Sequence, residues 1–232
     1  MNHFKLNFKI GKYHHLLFLS ILFGNFWIWR ILREDLILGI LLLILSFLLF
    51  IVVSSKFFMS QQIAIIFLII IISSLTLKVG FDKNIFITSP EEQLQQNFRH
   101  GLYSIELGQL FTNKYGQNYY KYFSGPINKL QRNFFSNLDF NLYFFASHPR
   151  ERGTGEFEKY YWIFLPFFIL GLFLALLFYL RLGLYFIAIA IISTFLSPAY
   201  SLGPVLFFPL INVVLALGLI YCIKILRIRI NN

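Results

Sequence analysis

The chain has 232 residues, of which 58% are hydrophobic and only 13% are charged, and its mean hydropathy is +0.69. Soluble domains are nearer half apolar and a quarter charged, so a single soluble domain has no interior large enough for this much apolar surface. The composition therefore excludes a soluble enzyme, a disordered protein and a disulfide scaffold, and it predicts an integral membrane protein.

The formal net charge of +10 does not indicate a nucleic-acid partner, because of where the charges lie. Residues 78–160 hold eight of the ten acids and ten bases, so this stretch is nearly neutral. The remaining bases flank apolar runs, where basic residues orient helices in a bilayer. We therefore expect no binding to nucleic acid.

Hydropathy along the chain predicts an all-α membrane fold of about six transmembrane helices, since about 20 apolar residues cross a hydrocarbon core of about 30 Å. The predicted spans are residues 16–32, 36–53, 63–77, 160–180, 182–195 and 205–223. The fifth is short, and it alternatively forms a re-entrant segment that ends at Pro198. Three regions follow: a membrane region (1–77), a helical extracytoplasmic domain (78–159) and a second membrane region (160–232).

The distribution of Lys and Arg in the short loops predicts that both termini are cytoplasmic. On the opposite side, the only bases in short loops are Arg30 and Arg33, offset by Glu34 and Asp35. The cytoplasmic side receives Lys5, Lys9, Lys12, Lys56, Arg181, Lys224, Arg227 and Arg229. The N-terminal apolar run lacks a small-x-small cleavage site, so we expect an uncleaved anchor in the cell membrane.

The extracytoplasmic domain is predicted to be helical, and it begins with a strong helix-start pattern. Ser89 at the cap, Pro90 at the first helical position and Glu92 three residues after the cap form a potential capping box. An apolar stripe follows at helical spacing, comprising Leu94, Phe98, Leu102, Ile105, Leu107, Leu110 and Phe111. This helix is predicted to end near residues 114–116, and a second to cover 126–138 after the Ser-Gly-Pro sequence at 124–126.

Tyr and Phe are abundant in this domain between residues 115 and 145. One interpretation is that they pack a helical cap onto the membrane surface, since these side chains suit a setting that is apolar on one side and wet on the other. The other is a groove that stacks sugar rings or holds a lipid tail. The sequence leaves both open.

The densest polar cluster covers residues 147–159, directly before the fourth predicted span. Arg150 and Arg152 are candidates for binding a lipid-linked phosphate, because guanidinium groups hold phosphate bidentately. The competing interpretation is a loop whose Arg and Glu side chains pair with one another. His148 is a candidate base or a hydrogen-bonded structural group. It has no His or Cys partner at ligand spacing, and we expect no metal site.

Four sequence segments resemble the C-terminal part of GT-C-type membrane glycosyltransferases, the bacterial protein-mannosyltransferase-like proteins. They are NLYFFASHPRERGTGEF (141–157), LPFFILGL (165–172), LSPAYS (196–201) and PLINVVLALGL (209–219). The resemblance covers roughly residues 140–225 and implies transfer from a polyprenyl-phosphate sugar donor at the outer membrane face. Members of that family are longer and carry their essential carboxylate in a large first external loop, whereas here this loop is only residues 30–35.

Two classes of function remain open. For an enzyme, Glu34 or Asp35 in the short first loop is the candidate base for the acceptor hydroxyl. Arg150 and Arg152 then bind the phosphate of a lipid-linked saccharide. The alternative is a non-catalytic accessory or structural membrane protein whose extracytoplasmic domain docks a protein partner. Transport ranks last, because no predicted span carries a charged residue at its centre.

Overall fold

A computed structural model describes residues 12–54, 58–108, 113–145, 157–196 and 202–230. These residues are helical apart from their connections, and the only β-type pairing among them is an isolated antiparallel bridge between Phe81 and Leu196. The predicted all-helical class is therefore confirmed for the described residues. Candidate membrane-spanning helices make an integral membrane protein the natural interpretation.

The N-terminal region contains α1 (Lys12–Gly24), α2 (Phe26–Glu34), α3 (Leu36–Ser54) and α4 (Phe58–Val79). The third predicted span, 63–77, underestimates α4, which begins five residues earlier because Phe58, Met59 and the polar Ser60, Gln61 and Gln62 are also helical. Helices α3 and α4 pack as an antiparallel pair, since Asp35 before α3 contacts Lys78 near the end of α4.

The first predicted span, 16–32, is a bent pair of helices in the structure. A bend of 58° separates α1 from α2 at Asn25. The buried Asn25 side chain accepts from the Ile28 amide at 2.9 Å and donates to the carbonyls of Ile21 and Leu22 at 3.0 and 2.8 Å. One side chain therefore satisfies backbone groups at the end of α1 and the start of α2, which permits a bend inside an apolar setting.

The middle region begins with a 3₁₀ turn (Lys83–Ile85) and α5 (Pro90–Leu107). The predicted capping box at Ser89 and Glu92 is confirmed, with both reciprocal bonds present. The predicted end of this helix at 114–116 is wrong, because α5 ends at Leu107 and Gly108 follows with a positive φ of 52°. Such a backbone conformation favours glycine and ends the helix.

A second helical run follows, made of α6 (Lys114–Asn118), a π-helical turn (Tyr119–Phe123) and α7 (Ser124–Leu138), and then the short α8 (Asn141–Phe144). The Ser-Gly-Pro sequence at 124–126, which was expected to precede a new helix, lies inside this continuous helical run. The Ser124 amide bonds the Tyr119 carbonyl, and this π-type hydrogen bond lies directly before Pro126, which has no amide hydrogen to donate. The wider turn therefore carries the helix past the proline.

The C-terminal region contains a 3₁₀ turn (Trp162–Phe164), α9 (Leu165–Phe178), α10 (Leu180–Phe195) and α11 (Phe207–Ile230). Helices α9 and α10 are bent by 112° around Tyr179. Arg181, at the start of α10, donates to Gln61 at the start of α4. At the other end of α10, the Phe195 carbonyl accepts from the Asp82 amide at 2.9 Å. One end of α10 therefore contacts the start of α4, and its other end contacts the segment that follows α4.

By length and composition, three helices of the described residues can each cross a membrane, and up to five if each bent pair is one span. The three are α3, α4 from Gln61 to Val79, and α11 from Phe207 to Arg227. The predicted count of six differs because α9 and α10 have only 14 and 16 residues, and each is shorter than a full crossing requires.

Helix α11 lies at the centre of the molecule, and every residue from 205 to 218 is buried. A helix that is apolar all round is expected in such a position. It crosses α9 where Gly171 meets Gly218: a Cβ on Gly171 would overlap the Val214 carbonyl, and one on Gly218 would overlap that of Phe167. Small residues at such a crossing let two membrane helices approach to backbone contact.

Candidate functional site

Backbone and side-chain hydrogen bonds join the two ends of the polar segment predicted to bind phosphate. The Tyr160 amide donates to the Tyr143 carbonyl at 2.9 Å, and the Lys159 ammonium donates to the Leu142 carbonyl at 2.8 Å. Residues 146–156, which include His148, Arg150 and Arg152, lie outside the described residues. The bonds around Tyr143 and Tyr160 therefore define the base of this loop.

Helix α2 packs against the loop base through Trp27, which is fully buried. Its ring centroid lies 5.8 Å from that of Tyr143 and 6.1 Å from that of Tyr160, and its indole nitrogen donates to the Leu202 carbonyl at 2.7 Å. Trp27 thereby holds together three parts of the chain that are far apart in sequence. Its position brings helix α2 beside the loop base.

Lys159 is a fully buried lysine at the loop base. Its ammonium lies 4.9 Å from the ring centroid of Phe157 and 5.7 Å from the ring of Trp27. Aromatic faces attract a desolvated cation, and the Leu142 carbonyl accepts one of its hydrogen bonds. Burial of Lys159 was not predicted from the sequence, although a lysine directly before Tyr160, Tyr161 and Trp162 is a detectable signal for a buried interfacial cation.

Glu34 also reaches the loop base, through Arg30. The Arg30 guanidinium carbon lies 4.2 Å from the ring centroid of Phe157, and its Nε donates to Glu34 Oε1 at 2.9 Å. The structure therefore places Glu34 and Arg30 at the loop base, beside Phe157.

Asp35 faces a different neighbour from Glu34, although the two are adjacent in sequence. Its carboxylate pairs with Lys78 at 2.6 Å and accepts from the Leu38 amide at 3.0 Å, at the start of α3. The hydrogen bond from the Leu38 amide, followed by that from Lys78, lowers the pKa of Asp35. A carboxylate held in this way caps a helix and joins α3 to α4, so its geometry is structural.

An apolar cavity of about 230 Å³ lies between α1, the segment after the loop base and α11. Leu17, Ser20, Ile21 and Gly24 form its α1 wall at positions i, i+3, i+4 and i+7, and Tyr160, Tyr161 and Phe164 face them. Leu219 of α11 lies at its deep end. The cavity therefore extends from the loop base along about two turns of α1.

One polar group in the wall of this cavity lacks a hydrogen bond. The Tyr160 hydroxyl is buried and makes none with the described residues, and the Oδ1 atom of Asn212 on α11 is in the same state. The Tyr160 hydroxyl therefore lies at the loop-base end of the cavity with no partner among the described residues.

Among the described residues, no group of three or more His, Cys, Asp and Glu side chains is arranged to hold a metal ion. His148 falls outside those residues, and its predicted role as a base stays a prediction.

Comparison of the chain with protein-family models, with curated proteins and with solved structures gives no match. The similarity to GT-C-type glycosyltransferases therefore stays an interpretation of sequence motifs. In the structure, Glu34, Arg30 and Lys159 lie at the loop base, and the apolar cavity begins beside it. Asp35 instead pairs with Lys78.

Proposed function

We propose that this chain is a six-crossing protein of the cell membrane, with cytoplasmic termini and residues 78–159 outside. In this arrangement α9 and α10 form a short in-and-out pair. The tip of this pair lies at Arg181, which contacts Gln61 at the start of α4, and its outer end lies beside Phe81 after α4. Because α4 is long enough to cross, these contacts near its two ends support a position of the shorter α10 between the two faces.

At the outer face, the protein binds a lipid-linked phosphate of the polyprenyl-phosphate class. The observation that carries this proposal is the apolar cavity of about 230 Å³ directly beside the cations of the loop base. An isoprenoid or acyl chain suits the apolar wall formed by α1 and Phe164. Arg30 and Lys159 lie at the loop base, whose Tyr160 lines the cavity, and the predicted ligands Arg150 and Arg152 belong to the segment that precedes Phe157.

Sugar transfer from the same lipid is the finer proposal, and it draws on the resemblance to GT-C-type enzymes. Glu34 is the carboxylate better placed for a base, since it lies at the loop base with Arg30. The capping and pairing of Asp35 favour instead the alternative of a non-catalytic protein that binds the lipid and docks a partner. Lipid binding is common to both, and we take it as the function that the geometry supports best.

Substitution of Gly24 tests the lipid proposal. Gly24 lines the cavity, and a Cβ at this position meets nothing within 4 Å, so Gly24→Leu narrows the cavity without a backbone clash. Gly101→Leu is a matched control, because Gly101 on α5 is equally open and lies outside the cavity. The probe is a photoreactive polyprenyl phosphate, added to the purified protein in nanodiscs.

We expect the wild type and Gly101→Leu to be labelled equally and Gly24→Leu to be labelled several-fold less, at unchanged thermal stability. Labelled peptides should come from α1 and residues 157–164. Equal labelling of all three proteins, or labelling elsewhere, contradicts the proposal. Turnover of a polyprenyl-phosphate sugar by the wild type, lost in Glu34→Gln, Arg150→Ala and Arg152→Ala but kept in Asp35→Asn, distinguishes the enzyme from the accessory protein.

A further inference from the structure

A second, polar groove lies between α5 and α7, away from the loop base. Its volume is about 250 Å³, and six of its residues are Gln95, Gln96 and Arg99 from α5, and Asn128, Lys129 and Arg132 from α7. On each helix these positions are spaced by one, three and four residues, so each set lies on one face. Two polar helix faces therefore oppose one another across a gap, where a packed domain normally places apolar side chains.

One ion pair fixes the relative position of the two helices. Lys129 donates to Glu92 at 2.8 Å and to the carbonyls of Asn84 and Ile87 at 2.8 Å each. The hydrogen bond from Lys129 is the main cause of the lowered pKa of Glu92, which is thereby held charged. Among the described residues, Glu92 is the only acid that lines the groove. It pairs with Lys129, and Arg132 also attracts its carboxylate.

A close contact also joins the helices at Gly125. A Cβ on this residue would overlap the side-chain Nε2 atom of Gln96, so the Gln96 side chain lies against the backbone of α7 here. This contact and the Lys129–Glu92 ion pair connect the two helices across the groove. Gln95, Arg99, Asn128 and Arg132 also line the groove.

The groove has more positive than negative charge, since Arg99, Lys129 and Arg132 line it together with Glu92. The guanidinium groups of Arg99 and Arg132 form no hydrogen bond or ion pair of 4.0 Å or less with the described part of the chain. Gln95, Gln96 and Asn128 add amide groups that both donate and accept hydrogen bonds. This combination suits a ligand with anionic oxygens and neighbouring hydroxyl groups.

We propose that the groove between α5 and α7 binds a phosphorylated polyol, such as a sugar or inositol monophosphate. The guanidiniums of Arg99 and Arg132, in a groove with an excess of positive charge, match a phosphate monoester, which carries a charge of about −1.5 to −2 at neutral pH. The amides suit the hydroxyl groups. A volume of about 250 Å³ is slightly below the roughly 300–1,000 Å³ of drug-sized sites and admits one ring. This site is separate from the lipid cavity and does not depend on its function.

The phosphorylated polyol has two possible sources, a soluble metabolite or the headgroup of a membrane lipid. The full-length protein is therefore studied in two preparations. In the first, inositol monophosphate is titrated calorimetrically into protein held in phosphatidylcholine nanodiscs. In the second, binding is measured to nanodiscs that contain phosphatidylinositol monophosphate. Arg99→Gln and Arg132→Gln remove the proposed contacts, and Lys114→Gln, an exposed cation on α6 outside the groove, is the matched control.

We expect binding in at least one preparation, weakened about tenfold or more by Arg99→Gln and by Arg132→Gln and unchanged by Lys114→Gln. Binding of the free phosphate identifies a soluble ligand, and binding confined to the lipid-containing nanodiscs identifies a headgroup. Gly24→Leu should bind as the wild type does, which separates this site from the lipid cavity. No binding in either preparation, or equal weakening by all three cation substitutions, overturns the proposal.

Discussion

Asp35 and Lys78 form an ion pair of 2.6 Å that joins the start of α3 to the end of α4. Both side chains are partly exposed, at 25% for Asp35 and 31% for Lys78. Asp35 also accepts a hydrogen bond from the Leu38 amide, so the same carboxylate caps α3. Asp35, a candidate catalytic base from the sequence, therefore has two structural contacts at one end of the α3–α4 hairpin.

Separate substitutions distinguish the two contacts of Asp35. Asp35→Asn keeps a capping side chain and loses the ion pair, and we expect a cost of at most about 1 kcal/mol because the pair is partly exposed. Asp35→Ala also loses the cap and should cost about 1 kcal/mol more. The measurement is reversible unfolding in detergent micelles. Equal stability of Asp35→Ala and the wild type would show that neither contact matters.

The stability due to Asp35 should depend on pH in a defined direction. Its pKa in the folded protein is lowered, so its contribution is fully present above the ordinary carboxyl pKa and is lost as the pH falls through the folded value. The stability difference between the wild type and Asp35→Asn should therefore shrink on acidification. A difference that grows at acidic pH is inconsistent with this ion pair.

The crossing of α9 and α11 should not tolerate a side chain at Gly171. A Cβ there overlaps the Val214 carbonyl, and a backbone atom cannot move aside without separating the helices. We expect Gly171→Ala to destabilise the protein by about 1–3 kcal/mol. Gly183→Ala on α10 is the control, because its Cβ meets only Leu176 at 3.8 Å. A lower thermal unfolding temperature for Gly183→Ala than for Gly171→Ala would refute the close crossing.

The capping box of α5 gives a local prediction. Ser89→Ala removes the hydrogen bond to the Glu92 amide and should destabilise the first turn of α5 by about 1 kcal/mol. Amide hydrogen exchange should accelerate in residues 90–93 and remain unchanged in α3. Ser104→Ala serves as the control, since the Ser104 hydroxyl bonds a carbonyl of its own helix. Uniform exchange rates in both variants would speak against a stabilising cap.

Short sequence motifs predicted the local helix structure of this chain. They did not predict which helix faces pack against other helices. The Ser89 cap was predicted because its partners are three residues away. The α5 stripe was predicted as a shared face, yet Leu94 and Phe98 are each 70% exposed and Ile105 is 81% exposed. Periodicity establishes which residues share a helix face, whereas burial depends on which other helix covers it.

The loop base shows the same limit for the candidate site. Hydropathy indicated an apolar run through Asn25, but the bend depends on a single amide side chain that bonds both helices. The approach of Arg30 to Phe157 joins segments more than a hundred residues apart, and no local pattern encodes it. Glu34 and Asp35 were candidates because they are carboxylates. The packing of α2 and α4 determines that Glu34 pairs with Arg30 and Asp35 with Lys78.

Cysteine accessibility on intact cells tests the membrane arrangement most directly. Single cysteines are introduced into a Cys222→Ser variant, which has no other cysteine. Asn118 lies on the exposed surface of the middle region, and Arg181 lies at the tip between α9 and α10. We expect an impermeant maleimide to label Asn118→Cys on intact cells and to label Arg181→Cys and Tyr13→Cys only after permeabilisation. Protection of Asn118→Cys, or labelling of Arg181→Cys on intact cells, would contradict the six-crossing arrangement with an external middle region.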